Sequence, residues 1–106
     1  MPRRVVFRPS AQSDLAELFD YIAENGGPRP AHNYLDRIEA ACLSLAEFPE
    51  RGTIRDDLYP GIRIIGFERR ASIAFLVTDT SVRIVRVFYG GRQFPDNWEE
   101  PEDPAL

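Results

Sequence analysis

SVRIVRVFYGGRQF, residues 81–94, sets β-branched and aromatic residues in a strand-like run, then turns through Gly90-Gly91 onto Arg92. Arg83 and Arg86 sit inside the apolar run, where cations need an explanation. Period-2 geometry groups Arg83 with Val85, Val87 and Tyr89, and Arg86 with Val82, Ile84 and Phe88. On that count the two arginines leave opposite faces and cannot line one pocket without a bulge. Both faces are also largely apolar. A one-sided antiparallel sheet normally alternates with polar residues, so this strand asks for cover on each side. If helices cover one face, the other is an apolar patch of the kind that marks an interaction site.

Working outward, Ala71–Thr78 and Ile62–Glu68 read as two more strands. Arg69-Arg70 and Asp79-Thr80 mark connections short enough for hairpins, which gives an antiparallel meander. Arg4–Arg8 is a short strand that ends at Pro9 and adds to the sheet. Ser10 reads as a helix N-cap. Ala11, Leu15, Leu18, Phe19 and Ile22 then share one helical face, with Asp14, Glu17, Asp20 and Glu24 mostly off it. Gly26-Gly27 stops this helix. A second starts near Pro28, carries a stripe of Ala31, Tyr34, Leu35, Ile38, Cys42, Leu45 and Phe48, and ends at Pro49. The link is short, so the helices form an antiparallel hairpin. Residues 49–61 are a long loop of turn formers and charges. The expected fold is α+β: an N-terminal strand and a helical hairpin packed on one face of a small antiparallel sheet. Residues 1–94 form one domain, and residues 95–106 a flexible acidic tail.

The net charge of −4 conceals a segregation. All 13 bases are arginine, and none is lysine. Residues 51–93 hold 8 arginines against 4 acids, a net of +4; residues 94–106 hold five acids and no base. The sheet region is therefore basic, and an anionic partner is compatible with it. The tail acids are placed to fold back onto that basic edge. Trp98 either anchors the tail or stands exposed.

Several chemistries lack their residues. Cys42 is the only cysteine, so no intramolecular disulfide forms. His32 lies on the polar side of its helix and Cys42 on the apolar stripe, where each has a plain structural role. No phosphate loop, dinucleotide fingerprint, zinc spacing or RNA-recognition signature is present, and no cofactor or metal is expected. No apolar run of about 18 residues occurs, so no membrane partner is expected; low thiol content suits the cytoplasm. What remains is arginine chemistry. Arg63, Arg83, Arg86 and Arg92, with Tyr89, are the groups able to hold phosphates or a partner's carboxylates. The plainer reading is of rim arginines that snorkel and pair with acids.

The order of short motifs carries more. F-x-P-x-A (Phe7, Pro9, Ala11), D-L (Asp14-Leu15), Y-I-A (Tyr21-Ile22-Ala23) and Y-L-D-R-I (Tyr34–Ile38) come first. F-P-x-R-G (Phe48, Pro49, Arg51, Gly52), R-D-D-L (Arg55–Leu58), P-G-I-R (Pro60–Arg63) and R-V-F-Y-G-G-R (Arg86–Arg92) follow. Over about residues 4–94 this order resembles the ParE branch of the RelE/ParE toxin superfamily. The resemblance implies the toxin of a type II toxin–antitoxin pair, of the kind linked to plasmid stabilization. It implies a cognate antitoxin, ParD-like or of another type II class, that would cover the second apolar face. ParE-like toxins are associated with inhibition of DNA gyrase, RelE-like toxins with ribosome-dependent cleavage of messenger RNA. A nuclease would use Arg63 and Arg83, but no tyrosine follows Gly91. The expectation is therefore a non-catalytic gyrase inhibitor, with Arg63, Val85, Arg86, Val87, Tyr89 and Arg92 as candidates for antitoxin or target binding. A nuclease and a non-toxic partner-binding domain are the alternatives. No direct sequence-specific DNA binding is expected.

Overall fold

The computed structural model describes residues 3–90, Phe94 and Trp98. Its centre is the long strand β5 (Ser81–Tyr89) of a five-stranded sheet in the order β1-β5-β4-β3-β2. The other strands are β1 (Arg4–Phe7), β2 (Thr53–Ile54), β3 (Arg63–Phe67) and β4 (Ala71–Val77). β2 to β5 pair antiparallel, as the meander predicts. β1 instead joins β5 in parallel, from Arg4 opposite Ser81 to Phe7 opposite Ile84. The connection that parallel neighbours require is the helical hairpin together with β2, β3 and β4, which lie between β1 and β5 in the chain.

Helix α1 (Pro9–Gly26) begins on a proline, whose missing N–H costs nothing in the first turn. Arg8, not Ser10, takes the cap position, with no side-chain capping bond. Gly27, at φ 97°, ends α1 and donates its N–H to Ala23 O at 2.8 Å; only glycine enters this region without strain. Helix α2 (Pro28–Ser44) follows immediately. It stops short of Pro49, so Phe48 leaves the expected stripe and is 63% exposed. Ala31, Tyr34, Ile38 and Cys42 are its buried stripe. The two helices pack on one sheet face, around Ile73, Phe75, Val82, Ile84 and Val87. Burial of a side chain such as Phe75 stabilises by about 1.5–3 kcal/mol.

A bulge breaks the expected alternation of β5. Phe75 pairs with Ile84, but Ala74 pairs with Arg86, leaving Val85 as the extra residue. Val87 and Tyr89 therefore join Val82 and Ile84 on the helix side, while Phe88 joins Val85 on the other. Arg86 shares the face of its partner Ala74, which is also the face of Arg83 and its partner Leu76. The two arginines thus start from the same face, contrary to strict alternation.

That second face is not bare. Ile62, Ala74, Val85, Phe88 and Trp98 are buried together, with Leu58, Tyr59, Ile64, Leu76 and Phe94 packed around them. The long loop and two aromatics from the C-terminal segment cover it. The expectation that only a partner could do so is corrected here: Phe88 meets Phe94 and Trp98 edge-on, at ring-centroid distances of 5.1 and 5.8 Å. The remaining tail positions lie outside the described residues.

Candidate functional site

Two places on β5 collect the polar groups. The first is its open edge. β1 ends at Phe7, opposite Ile84, so the following residues of β5 have no strand beside them on that side among the described residues. Asp14 of α1 closes the gap. Its carboxylate accepts from Arg86 Nε at 2.8 Å, from Arg86 Nη2 at 3.0 Å and from the Val87 backbone N–H at 2.8 Å. Asp14 is buried, and the bidentate geometry fixes the guanidinium, which also lies 5.2 Å from the Phe88 ring centroid. One carboxylate therefore satisfies an orphan ladder donor and anchors the bulge to α1. The sequence carried a signal for this: Ala11, Asp14 and Leu18 have the 3-and-4 spacing of a buried stripe. Its charge places Asp14 with the polar residues when hydropathy alone is read.

Beyond this edge Tyr21, Tyr89, Tyr34 and Phe67 form a chain of ring contacts, with centroids 5.6–5.8 Å apart. The Tyr34 hydroxyl is buried without a hydrogen-bond partner among the described residues. Burial first, then the neighbouring Tyr89 and Glu68, pushes its pKa up to about 12. Tyr34 is thus a neutral core residue, poorly suited to proton transfer. On the surface Arg37 forks onto Glu68 at 2.8 and 3.1 Å and holds that carboxyl below its ordinary value.

The second place is a cleft on the sheet face away from the helices, with a volume of about 280 Å³. It is lined by the apolar Ile62, Leu76 and Val85 and by Arg8, Tyr59, Arg83 and Trp98. Trp98 is 7% exposed, and its Nε1–H has no hydrogen-bond partner among the described residues.

The structure distributes the sequence-derived candidates rather than gathering them. Arg63 pairs with Phe75 and so shares the helix-side face; its Nη1 donates to Arg51 O at 3.4 Å. Arg83 pairs with Leu76 on the opposite face. Val87 and Tyr89 pack toward the helices, Val85 toward the cleft, and Arg86 onto Asp14. Arg92 lies outside the described residues. Among the described residues, no three His, Cys, Asp or Glu side chains gather to hold a metal ion. Cys42 is fully buried on α2, and burial pushes its thiol up to about 12, so no reactive thiolate is present there. No helix among the described residues is long and apolar enough to cross a membrane.

Comparison with known proteins agrees with this architecture. A family model described as the ParE toxin of the type II toxin–antitoxin system parDE matches residues 5–94. Toxin ParE3 of Caulobacter vibrioides is 31% identical over 87 residues, spanning 82% of this chain and 86% of that protein. In fold, the chain is similar to a chain of the chromosomal ParDE system from P. aeruginosa, with a TM-score of 0.73 at 24% identity, covering 83% of this chain and 96% of that one. It is also similar to a chain of the toxin–antitoxin complex RelBE2 from Mycobacterium tuberculosis, with a TM-score of 0.57 at 22% identity, covering 84% and 99%. With helices, meander and family match in register over the same residues, this chain belongs to the ParE toxin family of type II toxin–antitoxin systems.

Proposed function

We propose that this toxin acts without catalysis, by inhibiting DNA gyrase in the cytoplasm, and that a cognate antitoxin neutralises it. The observation that carries the non-catalytic reading is the sheet register. Arg63 and Arg83, the two cations a nuclease of this superfamily would use here, stand on opposite faces of the sheet. Groups so placed do not converge on one phosphate, and transition-state stabilisation requires convergent donors. Family membership supports gyrase as the target and an antitoxin as the partner, and the relative Toxin ParE3 is itself a toxin by name.

The test mixes purified protein with gyrase and relaxed plasmid, scoring supercoiling and trapped DNA breaks. Inhibition is expected, without transcript cleavage. Full supercoiling at concentrations that stop growth refutes the proposal. Transcript cleavage during growth arrest, lost in both Arg63→Ala and Arg83→Ala, would install the nuclease reading instead.

A further inference from the structure

The cleft beside Arg83 has a chemistry that the fold does not use. Its polar lining offers donors: the Arg83 guanidinium, the Tyr59 hydroxyl and the buried Trp98 indole N–H. No acidic side chain is among the described residues that line it. Arg83 makes no ion pair or hydrogen bond with any described residue, though it is half-buried. A buried indole N–H without an acceptor is costly and unusual in a folded protein. Two independent features, an unneutralised cation and an orphan donor, thus call for the same thing, an anionic acceptor. The cavity of about 280 Å³ falls just below the range typical of small-molecule sites, which suits a single side chain better than a nucleotide. Ile62, Leu76 and Val85 give it an apolar part for an aliphatic stem.

We propose that this cleft is a receptor for one carboxylate side chain, a glutamate with its aliphatic stem, presented by the antitoxin. The proposal rests on the antitoxin reading above and adds what the toxin recognises. Charge complementarity favours this occupant. Arginine forks bind carboxylates bidentately, and the apolar lining would leave a bare phosphate partly uncovered. The acids of this chain's own tail are the competing occupant.

Trp98 is the only tryptophan, so intrinsic fluorescence reads the site directly. The full chain is titrated with N-acetyl-glutamate methylamide, whose side-chain carboxylate is free, and with its glutamine counterpart. Parallel arms use inorganic phosphate and a short oligoribonucleotide. A saturable shift in the millimolar range is expected for the glutamate probe alone. Arg83→Gln should weaken it at least tenfold. Leu76→Glu, which places an acid opposite Arg83, should abolish it, with circular dichroism showing that the variant is folded. The antitoxin encoded beside the toxin gene should lose at least tenfold in affinity for Arg83→Gln. Equal titration by the glutamine probe overturns the proposal, as does tighter binding of phosphate or the oligoribonucleotide. Glutamate binding that appears only after deletion of residues 99–106 makes the tail the occupant and overturns it too. A normal probe titration with unchanged antitoxin affinity removes the antitoxin as the source of the carboxylate while sparing the family reading. An antitoxin that does not bind the wild-type chain refutes the proposed function, and the probe titration still judges the cleft.

Discussion

Replacing Asp14 with alanine should be among the most damaging single changes in this protein. The carboxylate receives three hydrogen bonds, two from Arg86 and one from the Val87 N–H, at 2.8–3.0 Å. Removing it orphans a buried backbone donor, at about 1–3 kcal/mol. It also strips a charge partner from Arg86. Breaking a fully buried pair costs about 3–5 kcal/mol. The Arg86 side chain keeps 27% of its exposure, so it can turn partly to water and recover much of that cost. Alanine's better helix propensity returns about 0.5 kcal/mol in α1. The net expectation is a loss of about 2–4 kcal/mol. With a urea m-value of about 1.5 kcal/mol/M, the midpoint falls by roughly 1.5–2.5 M. Circular dichroism at the helical band against urea measures it. Combining Asp14→Ala with Arg86→Met in a double-mutant cycle should show coupling of about 1–3 kcal/mol. A loss below about 1 kcal/mol for Asp14→Ala, with no coupling, would refute the claim that this carboxylate ties the bulge to the helix.

Two further outcomes are expected. Gly52→Ala should destabilise by at least about 1 kcal/mol in the same urea assay, because φ is +78° and a Cβ there would stand 2.6 Å from Ile64 O. Stability should also fall as pH rises from the ordinary thiol value of 9.0 toward about 12: the unfolded chain then ionises Cys42 while the folded chain, with its raised pKa, does not. Cys42→Ala should lower stability overall but flatten that decline, and an unchanged slope across the window argues against the buried neutral thiol.

The bulge at Val85 links these points to function. A regular β5 would have sent Val85, Val87 and Tyr89 to one face together. The extra residue divides them, so Val87 and Tyr89 complete the helical core while Val85 and Phe88 build the second one. It also leaves Arg86 where its guanidinium can reach Asp14 while Arg83 remains beside the cleft. Similar residues in one strand thereby acquire unlike places: Arg86 ties a helix to the sheet, and Arg83 lines the cleft. Trp98 is equally divided in its effect. Its ring supplies cover for Phe88, and its N–H opens a demand for an acceptor.

By itself the sequence determined the two helices, the four longer strands and their order; the two-residue β2 (Thr53–Ile54) falls inside the stretch that reads as a loop. Ala31, Tyr34, Ile38 and Cys42 announce α2 by spacing alone, and β5 runs from Ser81 to Tyr89, the strand bounds read from its β-branched and aromatic run. These are local properties: periodicity, glycine punctuation and proline placement act within a few residues. Only the tertiary structure decided what each face meets. The bulge depends on how β4 and β5 align, which a count along β5 does not contain. The parallel docking of β1 depends on the path of the chain between β1 and β5. Asp14 lies 72 positions from Arg86 in the chain, so its burial follows from a pairing that no local window holds. The separation of Arg63 from Arg83 follows from the registers of three strands taken together. Long-range register is set by the sum of many contacts, and for that reason the direction of each arginine follows only from the assembled sheet.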